Sequence, residues 1–191
     1  MTQCCLVRHG QTEWNVKGIY SGQSDIDLTE TGRAQAAALG EKLRGQPFSA
    51  IYASDLIRAR ETAEIIAAEF NLPVQTDSRL REIHQGEWEG LHVDEIQSRY
   101  ADLWQEKDAD PALFRPPGGE TIHEVSERVF AAVDEIVARH PDSTVLIVSH
   151  GLAIATLICR AEGIPIGHAF ERIPQNTDPV WLRYEEQTPV N

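Results

Sequence analysis

Two apolar runs confine what this chain can fold into. "CCLV" at residues 4–7 and "TVLIVS" at residues 144–149 lack the in-out alternation of a half-solvated strand, and each runs into a histidine followed by glycine, "LVRHG" and "IVSHG". Strands that are apolar on both faces belong to parallel sheets covered by helices on both sides. Residues 50–54 ("AIYAS"), a short "PVQTD" and "PVWLRY" read as further strands. Between them lie stretches of helical period. Thr29 is a suitable N-cap for a helix carrying Leu39 and Leu43, stopped by Gly45. Leu56, Ala59, Ala63, Ile66, Ala67 and Phe70 mark a second helix, and Ile122, Val125, Val129, Ala132, Val133, Ile136 and Val137 a long third one. The expected class is α/β: a three-layer sandwich with a mostly parallel central sheet and helices on both faces. The most hydrophobic strand, "TVLIVS", belongs near its centre, and "PVWLRY" at an edge because Pro179 begins it.

At 191 residues the chain reads as a single domain, residues 1–191. A small flap or insertion interrupts it around residues 91–120, where a polar helix at 93–100 leads into the Pro-, Gly- and Asp-rich "DADPALFRPPGGE". With 17 basic and 30 acidic residues the net charge is -13, which excludes nucleic acid and anionic membrane as general partners. No apolar run approaches the roughly 18 residues of a membrane span. Cys4, Cys5 and Cys159 form no C-x-x-C pair and suggest reduced, mostly buried thiols in a cytoplasmic protein. The sequence is compatible with a homodimer and does not fix the oligomeric state.

In open α/β sheets ligands bind beyond the carboxyl ends of the strands, so His9 and His150 should share the binding edge. "AIYAS" ends at Ser54 and enters a helix whose first turn carries Arg58. Arg8, His9, Arg58 and His150, with Asn15 as a neutral donor, form a set suited to a tetrahedral dianion, whose oxygens each accept several hydrogen bonds. The ligand implied is a small phosphate ester. Neighbouring cations and desolvation disfavour the imidazolium of His9, leaving a ring nitrogen free to attack phosphorus. The departing alkoxide needs a proton, and Glu82, in the loop before "GEWEG", is the candidate acid. Taken singly, each of these residues would be read as structural or solvated; the paired strand-His-Gly junctions change that. His84, His92, His123, His140 and His168 lack metal-ligand spacing, so no metal site is expected.

"LVRHGQTEWN", "SDLIRARETAEI", "REIHQGEWEGL" and "VSHG", in this order, resemble the histidine phosphatase superfamily in its phosphoglycerate-mutase-like branch. The resemblance covers nearly the whole chain and implies that family's fold. It further implies that His9 is phosphorylated, that Arg8, Asn15, Arg58 and His150 hold the phosphoryl group with help from the Gly151 amide, and that Glu82 acts as proton donor and acceptor. No metal or organic cofactor is implied. Substrate contacts fall on Ser21, Gly22 and Gln23, where "YSGQSDIDL" is similar to the substrate loop of the mutases. Compact length, "RARETAE", "GEWEGL" and "PGGE" favour a phosphatase over a 2,3-bisphosphoglycerate-dependent phosphoglycerate mutase; a non-catalytic phosphate-binding module is the third reading. Arg115 and His84 are candidates for the non-phosphate part of the substrate.

Overall fold

The structure, a computed structural model, describes residues 1–184; residues 185–191, the end of the span read as one domain, lie outside the described residues. Five strands, β1 (Thr2–Arg8), β2 (Phe48–Ala53), β3 (Val74–Thr76), β4 (Thr144–Ser149) and β5 (Pro179–Tyr184), form one sheet in the order β3-β2-β4-β1-β5. The first four are parallel and β5 runs antiparallel to β1 along the edge. "TVLIVS" is thus the middle strand, buried at every position.

The unbroken apolar runs have a simple physical basis, because alternate residues of one strand feed opposite cores. Cys4 and Leu6 of β1 and Val145 and Ile147 of β4 join one core, whereas Cys5, Val7, Leu146 and Val148 join the other. The first core is closed by α6 (Ile122–Arg139) and α7 (Gly151–Glu162), the second by α2 (Glu30–Lys42) and α3 (Ile57–Ala67). Ile147 is fully buried at the centre of the sheet. Ile147→Ala is expected to destabilise the protein by about 2–5 kcal/mol, read as a lower urea midpoint at unchanged slope.

Local signals set the helix boundaries. Thr29 accepts the Gly32 amide as N-cap of α2, and Thr121 with Glu124 forms a capping box on α6. Three elements were not legible. A five-residue helix, α1 (Glu13–Lys17), follows the "RHG" turn, and in the flap the expected polar helix, α4 (Val93–Arg99), is followed by a second helix, α5 (Ala101–Ala109), that reaches the start of the stretch read as irregular. A 3-10 segment, Ile166–Arg172, precedes β5. None has an apolar stripe of its own. The flap is held instead by aromatic packing: Trp88 lies 6.0 Å from Trp104 and 5.3 Å from Phe114, ring centre to ring centre.

All three cysteines are free and buried, and burial pushes Cys4 and Cys5 up to about 12. Among the described residues no helix is long and apolar enough to cross a membrane.

Candidate active site

The chain connections set the site. From β1 the chain crosses one face towards β2, and from β4 it crosses the other towards β5, so the crevice opens between the carboxyl ends of β1 and β4. Arg8 pairs in register with Ser149, and the His9 amide donates to the Ser149 carbonyl at 3.0 Å. His9 and His150 therefore leave the sheet side by side, with ring centres 5.2 Å apart.

A cavity of about 240 Å³ lies over this junction. Arg8, His9, Asn15, Ser21, Gly22, Arg58 and Glu82 line it together with an apolar wall of Ile19, Tyr20, Ile83, Leu152, Phe170 and Ile173, and with Gln85. His150 lies beneath, fully buried against His9.

The His9 ring is fixed by its Nδ1, 2.7 Å from the Gly10 carbonyl. A carbonyl only accepts, so Nδ1 carries the proton and Nε2 keeps its lone pair. Burial holds His9 well below its ordinary value of 6.5, with the charges of Arg58 and then Arg8 adding to the effect. Burial and Arg58 depress His150 in the same direction. Both imidazoles are neutral near pH 7.

Arg58 sits in the first turn of α3 with 1% of its surface exposed. Its Nη1 and Nη2 donate to the Ser24 and Gly22 carbonyls, each at 2.7 Å, so the arginine and the loop at residues 21–24 fix one another. Gly22 has φ +47°, and a Cβ there would stand 2.1 Å from the Glu89 carboxylate. Glycine is required at that turn. Arg8 donates from Nη1 to the Pro174 carbonyl at 3.0 Å. Asn15 commits its side-chain oxygen to the Thr12 amide in a capping box, and its amide group remains for the cavity. The Glu82 carboxylate accepts the Ile83 amide at 2.9 Å and the Leu152 amide at 3.1 Å.

Among the described residues seven buried side-chain N or O atoms lack a hydrogen-bond partner, and five belong to this site: Arg8 Nε, Arg58 Nε, both ring nitrogens of His150, and Ser21 Oγ. A buried polar group left unpaired costs about 1–3 kcal/mol, and folded proteins tolerate few. They are concentrated around the His9 imidazole, an arrangement suited to a ligand rich in oxygens.

Besides His150, which lies beneath it, four sequence-based candidates do not line the cavity. Gln23 turns away: its Nε2 donates to the Glu82 carbonyl at 3.1 Å and its Oε1 faces Arg81 at 3.4 Å. Gly151 opens α7, where a Cβ would stand 2.9 Å from Ile173 Cγ2 and 3.4 Å from Arg8 Nε, so it supplies clearance. Arg115 is tied to Glu124 and the Gly119 carbonyl, and His84 lies 3.7 Å from Glu89 at the periphery. Two residues unremarked in the sequence brace the site. Asn176 Nδ2 donates to the His9 carbonyl at 2.7 Å, and Thr62 Oγ1 accepts the Gly10 amide at 3.0 Å. The only hint was the turn-forming "QNTDP" around Asn176.

Residues 4–191 match the family described as histidine phosphatase superfamily (branch 1). A probable phosphoglycerate mutase, GpmB, of Salmonella choleraesuis is 39% identical over 86% of this chain and 77% of its own length. Among solved structures, Bacillus stearothermophilus YhfR superposes with a TM-score of 0.91 at 37% identity, covering 97% of this chain and 93% of that one. A mycobacterial glucosyl-3-phosphoglycerate phosphatase solved with VO3 gives 0.86 at 34% identity, covering 95% and 90%. The alpha-ribazole phosphatase of Shigella flexneri gives 0.87 at 28% identity, covering 96% and 91%.

Proposed function

The chain belongs to the histidine phosphatase superfamily, branch 1, and we propose that it is a metal-independent phosphomonoester hydrolase working through a phosphohistidine at His9. The observation that carries this reading is the cluster of unpaired buried donors at Arg8, Arg58, His150 and Ser21 around an imidazole whose tautomer leaves Nε2 bare. A phosphoryl group accepts from Arg8, Arg58, His150 and the Asn15 amide, which neutralise and orient it. His9 Nε2 attacks phosphorus in line, the P–O ester bond breaks, and Glu82 delivers a proton to the departing oxygen. Glu82 then takes a proton from a water molecule, which attacks the phosphohistidine; the P–N bond breaks and inorganic phosphate leaves. A related mycobacterial phosphatase has been solved with inorganic phosphate, in keeping with a phosphate-sized anion at such a site.

The wall beyond the phosphoryl position favours hydrolase over mutase. Among the described residues that line the cavity the cations are Arg8 and Arg58, both beside His9, and the remainder is chiefly Ile19, Tyr20, Ile83, Leu152, Phe170 and Ile173. Residues 185–191 hold no lysine or arginine. A phosphoglycerate carries a carboxylate, and a bisphosphate primer a second dianion, for which this wall offers no counter-charge; burying either unpaired is costly. The reading is therefore hydrolysis of a monoester whose non-phosphate part is uncharged and partly apolar.

A panel of phosphate esters in excess chelator tests the proposal. Release of inorganic phosphate without a bisphosphate primer is expected; primer-dependent interconversion of 2- and 3-phosphoglycerate with no phosphate release would instead identify a mutase. Glu82→Gln should slow an alkyl phosphate on the order of 10²- to 10⁴-fold, as loss of a general acid does, and a nitrophenyl phosphate far less. Equal slowing of both would remove Glu82 from the acid role.

A further inference from the structure

The geometry points to Arg128 and Glu120 as a clamp that positions Glu82 for proton transfer, an inference that rests on the acid role proposed for Glu82. Arg128 lies in mid-α6 between the core residues Val125 and Val129, and its guanidinium uses all five of its N–H donors. Nη1 donates to the Arg79 carbonyl at 2.8 Å and to the Arg81 carbonyl at 2.6 Å. Nη2 donates to the Glu82 carbonyl at 2.8 Å and to Glu120 Oε2 at 2.9 Å, and Nε to Glu120 Oε1 at 2.9 Å. One rigid helix therefore grips three carbonyls of the segment that ends at the acid.

Glu120 secures the other side of that residue. Its Oε2 accepts the His84 amide at 2.9 Å, and its own amide donates to the His84 carbonyl at 2.8 Å. Burial raises the Glu120 carboxyl, but hydrogen bonds from Arg128 and the His84 amide outweigh it and leave the group below its ordinary value. The same oxygen lies 3.5 Å from Gln23 Nε2, whose other contact is the Glu82 carbonyl. The backbone of residues 82–84 is thus held by a bidentate ion pair with side-chain exposures of only 18% and 23%. Neither partner lines the cavity, so both would act through Glu82 and not on the substrate itself. Such a full set of directional bonds exceeds what packing α6 requires; it fixes the height at which the Glu82 carboxyl enters the site.

A residue acting through the acid should matter only when the acid matters. Arg128→Met is expected to lower kcat for an alkyl phosphate about 10- to 100-fold, the order of loss that a ~1 Å misplacement produces, and to slow a nitrophenyl ester far less. Combined with Glu82→Gln it should add little to the loss from Glu82→Gln alone, as expected for two residues in one device. Arg128→Lys keeps the charge but not the fork, should show the same split between esters, and serves if Arg128→Met does not fold; Arg128→Met with Glu120→Gln removes both charges together as a further check. Equal slowing of both esters, or a full additive loss on top of Glu82→Gln, would overturn the clamp. Failure of the hydrolase reading is separate: wild type would then be inert on both esters.

Discussion

His9→Ala is expected to abolish turnover, with kcat falling by on the order of 10⁴-fold or more, as removal of a covalent nucleophile does in other enzymes. The variant should nonetheless fold. The His9 ring makes a single hydrogen bond, to its own neighbour Gly10, and it belongs to neither hydrophobic core. The groups proposed to hold phosphate are anchored independently of the ring: Arg58 by Gly22 and Ser24, Arg8 by Pro174. Inorganic phosphate should therefore still bind to His9→Ala by calorimetry while hydrolysis is lost. Near-wild-type hydrolysis by this variant would mean that water attacks the ester directly.

Arg58→Met is expected to cost about 10²- to 10³-fold in kcat/KM, the range for removing a preorganised donor from developing transition-state charge. The loss should be alike for alkyl and nitrophenyl esters, because in the proposed mechanism Arg58 holds the transferred group and not the leaving oxygen. That pattern separates it from Glu82 and Arg128. Stability should fall as well, since the Gly22 and Ser24 carbonyls each lose a charged donor at 2.7 Å; such bonds contribute about 1.5–3 kcal/mol each. Thermal melts and kinetics on both esters distinguish the two effects. Unchanged kcat/KM in a folded Arg58→Met protein would remove Arg58 from the phosphoryl site.

The sheet was legible because its chemistry is local to each strand. A strand covered on both sides must be apolar at successive positions, and "CCLV" and "TVLIVS" are. The strand-His-Gly repetition carried the rest, since two strands ending alike on one sheet edge place their last residues together whatever the loops do. What escaped depends on contacts distant in sequence. The helix Ala101–Ala109 lacks an amphipathic stripe and is held by Trp104 against Trp88 and by Lys107 between the Trp104 and Phe170 rings, 4.3 and 4.6 Å from their centres. Gln23 lies one residue past Gly22, but the backbone turn at Gly22 sends its side chain towards Glu82 and Arg81. Arg128 resembles any solvated arginine on a long helix until the segment Arg79–Glu82 is laid against it. Carbonyl acceptors leave no mark in a sequence, and both the Arg58 anchorage and the Arg128 clamp are built on carbonyls.

The account turns on a covalent phosphoenzyme, and rapid acid-free quenching of a reaction with a nitrophenyl phosphate tests it most directly. Intact mass and peptide mapping should show one phosphoryl group per chain, acid-labile and alkali-stable, on His9, and none in His9→Ala. Turnover with no phosphoenzyme at any time, or with the phosphoryl group on another residue, would contradict it.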